Sequence, residues 1–439
     1  MKAALWHVFV LTIVAGLLGT DLAAKPLTLD DAITHALRIS PLVRAARFST
    51  KAMEAQLLKA RSAAWPRADL TALIAPMPAQ RGNAVKGSTD LNDWGYFVYA
   101  GIEGSVPIYT FGKISSLKTA ARYGVSVGKY REAVARMEVT FQVQSVYYLA
   151  LGAKAILDSL NDGKKYIDKA EKKLHELEKE DDPDFDPVDK MKFRVFRSEY
   201  YSQKATAASI FARAMDVLRV LTGCEDAELS SDLARIEWSP KKTDYYVKQA
   251  MAKRPELLAL NAAIKARDAQ VAFRKAAFYP DIFVVGQFTI GHSNVADPQG
   301  SPFSNDPYNT YGARGALGLK MDLDIGGMIA DLDMARAKLS ELTAKREAAR
   351  QGVKIEVMKV LRQLHEVGQQ VKYSDQAVRA SKSWAIAESD LYDNGFCSIK
   401  DLTDAVVHYY KAKFQYYNNV ARFNIDLMNL RRMTGRHWR

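Results

Sequence analysis

The densest set of side chains able to do chemistry lies late in the chain, in Tyr392-Asp393-Asn394-Gly395-Phe396-Cys397-Ser398-Ile399-Lys400-Asp401-Leu402-Thr403-Asp404. Asn394-Gly395 should stop a helix, and Ser398 is a residue type that caps a returning one. Asp401 and Asp404 are three apart, which puts both carboxylates on one face of that helix's first turn. By spacing alone they are favourable negative charge at a helix N-terminus. A second acidic run, Lys179-Glu180-Asp181-Asp182-Pro183-Asp184-Phe185-Asp186-Pro187-Val188-Asp189, has two prolines and no glycine. It reads as a longer turn, either a solvated loop or a surface for a basic partner. Catalytic patterns are missing elsewhere. The seven histidines are scattered with none paired at metal-ligand spacing. Gly82 to Gly87 followed by Ser88-Thr89 lacks the lysine of a phosphate loop, and no nucleophile elbow occurs. The expectation is a protein that is not an enzyme and takes no metal or cofactor.

The two cysteines, Cys224 and Cys397, make no disulfide framework. By the repeat described below they lie at opposite ends of equivalent helices. About 37 helical residues, or roughly 55 Å, would separate those levels, far beyond bridging distance.

The elements that position these residues follow from the whole chain. Of its 439 residues 48% are hydrophobic and 26% charged, a globular composition. The N-terminus has Lys2, an apolar run from Ala3 to Leu18, and a cleavage-like Leu22-Ala23-Ala24, in which the two alanines are small and Leu22 fits less well. It reads as a secretory signal peptide over 1–24; a retained anchor would need a longer run. No later segment reaches the roughly 18 unbroken apolar residues of a spanning helix. An exported chain of this kind is free in its compartment or crosses a membrane by strands. The formal charge of +12 fits solvated helix faces or a surface favouring anions. Its dispersal through helices argues against nucleic acid as a partner.

An internal duplication organises the rest. At a shift of 214 residues, Pro41, Ala45, Lys51, Ala52, Ala55, Gln56, Ala63 and Pro66 meet Pro255, Ala259, Lys265, Ala266, Ala269, Gln270, Ala277 and Pro280. At a shift of 212, Leu218-Arg219-Val220-Leu221-Thr222-Gly223 meets Leu430-Arg431-Arg432-Met433-Thr434-Gly435. The repeats are therefore placed at 25–239 and 240–439. Each opens with one helix of moderate length, 28–64 and then 243–278, closed by Pro66 or Pro280. A strand pair follows, within 68–109 and within 281–324. The loops between carry Gly82, Asn83, Gly87, Asn92 and Asp93, or Pro298, Gly300, Pro302 and Pro307.

In the last strand Tyr311, Ala313, Gly315, Leu317, Leu319, Met321 and Leu323 share one face, while Arg314, Lys320, Asp322 and Asp324 share the other. Ile282, Val284, Gly286, Phe288 and Ile290 alternate likewise. A wall between lipid and water needs this pattern, and strands on an ordinary core share it. In the first repeat Tyr96, Val98, Ala100, Ile102, Val106 and Ile108 fall one residue out of phase with the duplication. A bulge or a one-residue gap would repair that.

Each repeat then continues as a long helical hairpin, 113–222 and 328–434. No proline interrupts the chain between Pro107 and Pro183, between Pro187 and Pro240, or after Pro307. Helices are predicted from Ile114 to about Glu180 and from Met328 to about Asp393. Some 65 residues each would span roughly 100 Å. On the return helix Leu402, Val406, Tyr409, Ala412, Tyr416, Val420, Phe423, Leu427 and Leu430 recur about every 3.5 residues, a coiled-coil period. The fold class expected is mainly α: tandem antiparallel coiled-coil hairpins, with four β-strands per chain. Four strands cannot close a barrel, and open edges are not tolerated in lipid. If they enter a membrane, copies must pool them.

This order of elements resembles the TolC-type outer-membrane efflux family. So do the helix-opening Leu27-Thr28-Leu29-Asp30-Asp31-Ala32 and the turns Phe111-Gly112-Lys113 and Ile325-Gly326-Gly327. The half-ending Leu-Arg-x-x-Thr-Gly completes the likeness, which covers essentially the whole mature chain. The resemblance implies a homotrimer with a shared β-barrel in the outer membrane and an α-helical barrel in the periplasm. It implies partners as well, a periplasmic adaptor protein and an inner-membrane pump, in efflux or type I secretion. Tyr392, Asp401 and Asp404 match the family's periplasmic gate, where the aspartates form acidic rings able to hold cations. Cys397 stands where the gate's arginine would be, so the ionic part of the lock is altered. Gly395, Phe396 and Ser398 of the second tip, with Asp186 and Asp189 of the first, are the implied adaptor contacts. The competing expectation is a pore-free periplasmic adaptor or structural coiled-coil protein.

Overall fold

A computed structural model describes residues 27–83, 85–180, 185–301, 303–394 and 396–435. The expected signal peptide, Pro302, Gly395 and the middle of the first acidic tip lie outside those residues.

The chain runs α1 (Leu29–Ile39), α2 (Pro41–Ser62), β1 (Arg67–Gly82), β2 (Gly87–Tyr109), α3 (Lys113–Lys179) and α4 (Pro187–Thr222). It then repeats that order as α5 (Thr243–Lys253), α6 (Pro255–Ala276), β3 (Asp281–Ser293), β4 (Thr310–Lys320), α7 (Ile325–Asp393) and α8 (Ile399–Met433). The long helices fall within a few residues of the proline-free runs. Two expectations need correction. The opening helix of each half is two helices, because a residue before proline is driven out of the helical region. Ser40 before Pro41 and Arg254 before Pro255 have ψ of 122° and 121°. The last strand ends at Lys320 rather than 324, since Lys320 already pairs with Asp281, the first residue of β3. Asp324 instead accepts the Gly327 amide at 2.9 Å and starts α7.

The duplicated half-ending is a repeated helix stop. Thr222 and Thr434 are buried and return their hydroxyls to the Leu218 and Leu430 carbonyls at 2.8 and 2.9 Å. Gly223 and Gly435 then take φ of 70° and 63°, the left-handed step that suits glycine.

The chain divides into two compact units, and each draws on both repeats. Among the described residues, the first runs up to Ala46, resumes over Arg131–Leu257 and ends with the chain from Ala349 onward. It is helical, and its seams are heptad-like. Val353, Val357, Val360, Leu364, Val367 and Val371 of α7 pack with Val420, Phe423, Leu427 and Leu430 of α8. Phe193, Tyr200 and Ala207 of α4 pack on Ile156, Leu160 and Ile167 of α3. In this unit the non-helical segment after α4 is tied down by Asn424. That side chain is fully buried, accepts from the Ile236 amide at 3.0 Å and donates to the Ala234 carbonyl at 2.8 Å.

The second unit, Arg47–Tyr130 with Leu258–Ala348, holds one antiparallel sheet in the order β1-β2-β3-β4. The phase difference between the repeats is absorbed by an irregularity between Pro107 and Tyr109, where Pro107 faces Phe283 and Tyr109 faces Ile282. Ile108 is the extra residue. Proline within a sheet is found at such bulges. The β1–β2 hairpin reaches Gly82 and Gly87, which pair with each other, while residues 91–93, including the expected loop residues Asn92 and Asp93, fall in a break in the register between Pro78 and Ala79.

Candidate functional site

Register decides which side chains share a face of the sheet, since directly opposed residues point the same way. Leu70, Ile102, Phe288 and Ala313 form one cross-strand row, and Ile74, Val98 and His292 another. Val106, Val284 and Leu317 form a third. One face is therefore apolar across all four strands and both repeats, apart from His292 near the hairpin end. Leu70, Ile74, Leu317 and Leu319 on it are between 67% and 74% exposed. An apolar surface of this continuity is not left to water in a soluble monomer. The other face carries Asp69, Glu103, Gln287 and Arg314 as one row, with Arg67 and Ser105 beside it.

Aromatic rings gather at both ends of this sheet. At the strand-to-helix end Phe111 meets Tyr109 edge-on at 4.7 Å and stacks on Tyr279 at 5.3 Å, with Phe111 at φ 47° in a tight turn before Gly112. At the hairpin end Trp94, Tyr96 and Tyr311 are exposed. There Arg81 joins Asp93 at 2.7 Å and Asp297 at 3.3 Å, and Asp297 also accepts the Gly82 amide. These bonds tie the β1–β2 turn to the β3–β4 loop.

The hairpin tips belong to the first unit. After α7, the Phe396 amide closes on the Leu391 carbonyl at 2.8 Å, and Phe396 itself is 79% exposed. Ser398 caps α8 in a reciprocal box. The Asp401 amide donates to its hydroxyl at 3.3 Å, and its own amide and hydroxyl donate to the Asp401 carboxylate at 3.2 and 2.7 Å. Those two bonds from Ser398 hold the Asp401 carboxyl below its ordinary range, helped by Lys400 and by Lys192 of the other tip. Asp401 is thus a capping residue first, and Asp404 is exposed one turn on. The Cys397 thiol donates to the Glu388 carbonyl at 3.3 Å. Burial and Glu388 push it up to about 11, so it is neutral at ordinary pH. Tyr392 is half-buried in the last turn of α7. At the first tip Asp186 caps α4 through the Val188 amide at 2.7 Å, and Asp189 pairs with Lys192 at 3.1 Å.

The sequence did not point to Asn424, nor to the Arg254–Glu356 pair at 2.7 Å that sets α5 and α6 against α7. Their partners are too distant along the chain for any local pattern to reveal. No helix among the described residues is long and apolar enough to cross a membrane.

Tandem long hairpins and a four-stranded sheet with an exposed apolar face are the fold that the order of elements in the sequence led us to expect. Comparison with known proteins agrees. Residues 246–436 match the model of the Outer membrane efflux protein family, so the chain resembles that family in sequence as well as in fold. The open-state MtrE outer membrane channel of Neisseria gonorrhoeae is 20% identical, with a TM-score of 0.75 over 93% of this chain and 88% of that one. VceC, an outer membrane protein of Vibrio cholerae, is 16% identical at 0.74, over 93% and 96%. CusC, described for its transmembrane channel formation, is 16% identical at 0.75, over 93% and 92%. At these identities the likeness is one of fold. No curated protein matches the sequence.

Proposed function

We propose that the protein is an outer-membrane export duct of a tripartite efflux or type I secretion system, conducting substrate passively and gated at its periplasmic helical tips. The observation that carries this reading is the largely apolar face that spans both repeats of an open-edged sheet. Exposed apolar side chains and unpaired edges are both relieved if copies pool their strands into a closed barrel in lipid. The family resemblance supports three copies, an adaptor and an inner-membrane pump as partners. On this reading Tyr392, Cys397, Asp401 and Asp404 form the gate, with Phe396, Ser398, Asp186 and Asp189 as adaptor contacts. A pore-free adaptor or strut would use the hairpins equally well but would leave the sheet's apolar face without a purpose.

Single-channel conductance of the purified mature protein in a planar bilayer tests the reading. Current steps blocked by divalent cations, with block lost in Asp401→Ala/Asp404→Ala, support both duct and gate. Steps without that difference retain the duct and reject the gate. No conductance from a folded, membrane-extracted oligomer rejects the duct.

A further inference from the structure

The polar face of the sheet does not stay open along its whole length. Thr71 and Leu73, which alternate with Asp69 on that face, are exposed, whereas Met77 further along β1 is buried. What covers it is the loop between β3 and β4. Gly95 is opposite Met77 and shares its face. A Cβ at Gly95 would lie 2.4 Å from a Val295 methyl group and 2.3 Å from Asn294 Oδ1. Gly291, in the row of Leu73 and Tyr99, would meet the Tyr308 carbonyl at 3.1 Å. Both limbs of the loop therefore lie over the polar face, on backbone kept free of side chains. Val295 and Ala296 close a small core with Met77 and Ala79, and Phe97 and Tyr308 pack against it. Hydrogen bonds hold both limbs. The Gln80 amide donates to the Val295 carbonyl and the Asp297 amide to the Gln80 carbonyl, each at 2.9 Å. Asn294 accepts the Tyr96 amide and Asp297 the Gly82 amide, each at 2.8 Å. On the returning limb Asn309 accepts the Ser293 amide at 3.0 Å and donates to the Ala296 carbonyl at 3.2 Å.

We propose that this loop is a strap across the outer mouth of the duct, narrowing the exit and limiting the size of what leaves. The inference rests on the duct reading. With the apolar face in lipid the polar face lines the lumen, and the hairpin end, opposite the strand-to-helix turns, is the outward mouth. In a closed ring every copy lays one strap over the lumen. An ordinary surface loop would be solvated and needs no core of its own. This one carries a core and a backbone bridge to Gln80, so it is a standing restriction rather than a loose fringe.

The test is thiol labelling of intact cells carrying Thr71→Cys, a position on the polar face between the strap and the strand-to-helix turns. Maleimides of graded size are supplied from outside, and the modified peptide is read by mass spectrometry. A small maleimide should react, and a bulky polymer-linked one should be excluded. Adding Asp297→Ala/Asn309→Ala removes four side-chain bonds of the strap. Labelling by the bulky reagent should then rise about tenfold or more, with labelling by the small one unchanged. Gly95→Ala, which sets a methyl group against Val295 and Asn294, should do the same by another route and serves if the double variant does not assemble. Equal labelling by both sizes before the strap is released, or no gain on release, overturns the strap and leaves the duct. No labelling even by the small reagent shows that this face is not open to the outside, which overturns the duct and the strap with it.

Discussion

Replacing Asn424 with alanine should free the segment between α4 and α5 while leaving the hairpins intact. The side chain makes two hydrogen bonds to a backbone nearly two hundred positions away. Each such bond contributes about 1 kcal/mol net, and stranding the partly buried Ile236 amide adds a similar penalty, so the loss is about 2–3 kcal/mol. Other contacts keep the segment from detaching altogether. Leu233, Ile236 and Trp238 pack on the α7–α8 core, Arg235 lies 4.6 Å from the Phe423 ring, and Trp238 donates to the Tyr246 hydroxyl at 3.2 Å. The response should therefore be local opening rather than global unfolding. Hydrogen exchange reads it directly, because the Ile236 amide is itself one of the donors. At about 1.4 kcal/mol per tenfold, exchange there should quicken about 30- to 150-fold. Amides in the α7–α8 seam should not respond. Unchanged exchange at Ile236 would refute the claim that Asn424 pins this segment.

Three further outcomes are expected. Phe288→Lys puts a charge on the apolar face and should cost about 2–4 kcal/mol if that face meets lipid, seen as loss of membrane-extracted oligomer. Gln287→Lys, on the opposite face between Glu103 and Arg314, should be tolerated; equal effects would reject the lipid assignment. Gly435→Ala should lower the melting temperature more than Gly223→Ala, although both residues share a left-handed backbone. A methyl group at 435 would lie 2.7 Å from the Lys253 carbonyl, whereas at 223 it meets only the flexible tip of Ile39 at 3.0 Å. Cys397→Arg should lower resting conductance, because a neutral thiol bonded to the Glu388 carbonyl supplies none of the charge of the family's gate. Unchanged conductance would show that the lock does not depend on that position.

Much of the architecture was legible because its signals are local. Proline-free runs bounded α3 and α7, and the heptad spacing of Val420, Phe423 and Leu427 marked a seam that the core reproduces. The misreadings came from tertiary context overriding local pattern. Met321 and Leu323 continue the alternation of β4, yet β3 offers no partner beyond Asp281. Asn92 and Asp93 have loop composition and lie within β2, but at the register break that the ladder passes over between Asp90 and Trp94. Pro41 and Pro255 were visible as repeat matches, and their effect on Ser40 and Arg254 could have been anticipated from steric exclusion alone. The site was legible only in part. Ser398 was readable as a cap, whereas the return of the Asp401 carboxylate to Ser398 had to be seen in three dimensions.

The sheet also constrains how copies could join on the proposed reading. Its outer strands are β1 and β4, so any ring must pair the β4 of one copy with the β1 of the next, a head-to-tail contact that closes only by rotation. Along β1 the prolines at 76 and 78 lack the amide hydrogens a neighbouring ladder needs. The usable edge is therefore the stretch before them, 67–75. That is nearly the length of β4, Thr310–Lys320, and about the nine to eleven residues that let a tilted strand cross a bilayer. It also coincides with the exposed apolar rows containing Leu70, Ile74, Leu317 and Leu319. Beyond Pro78 the hairpin turns polar, and Arg81 bonds to the chain's own Asp297. The two edges are thus compatible with each other over the apolar band, where lipid would forbid an open one, and are closed off above it.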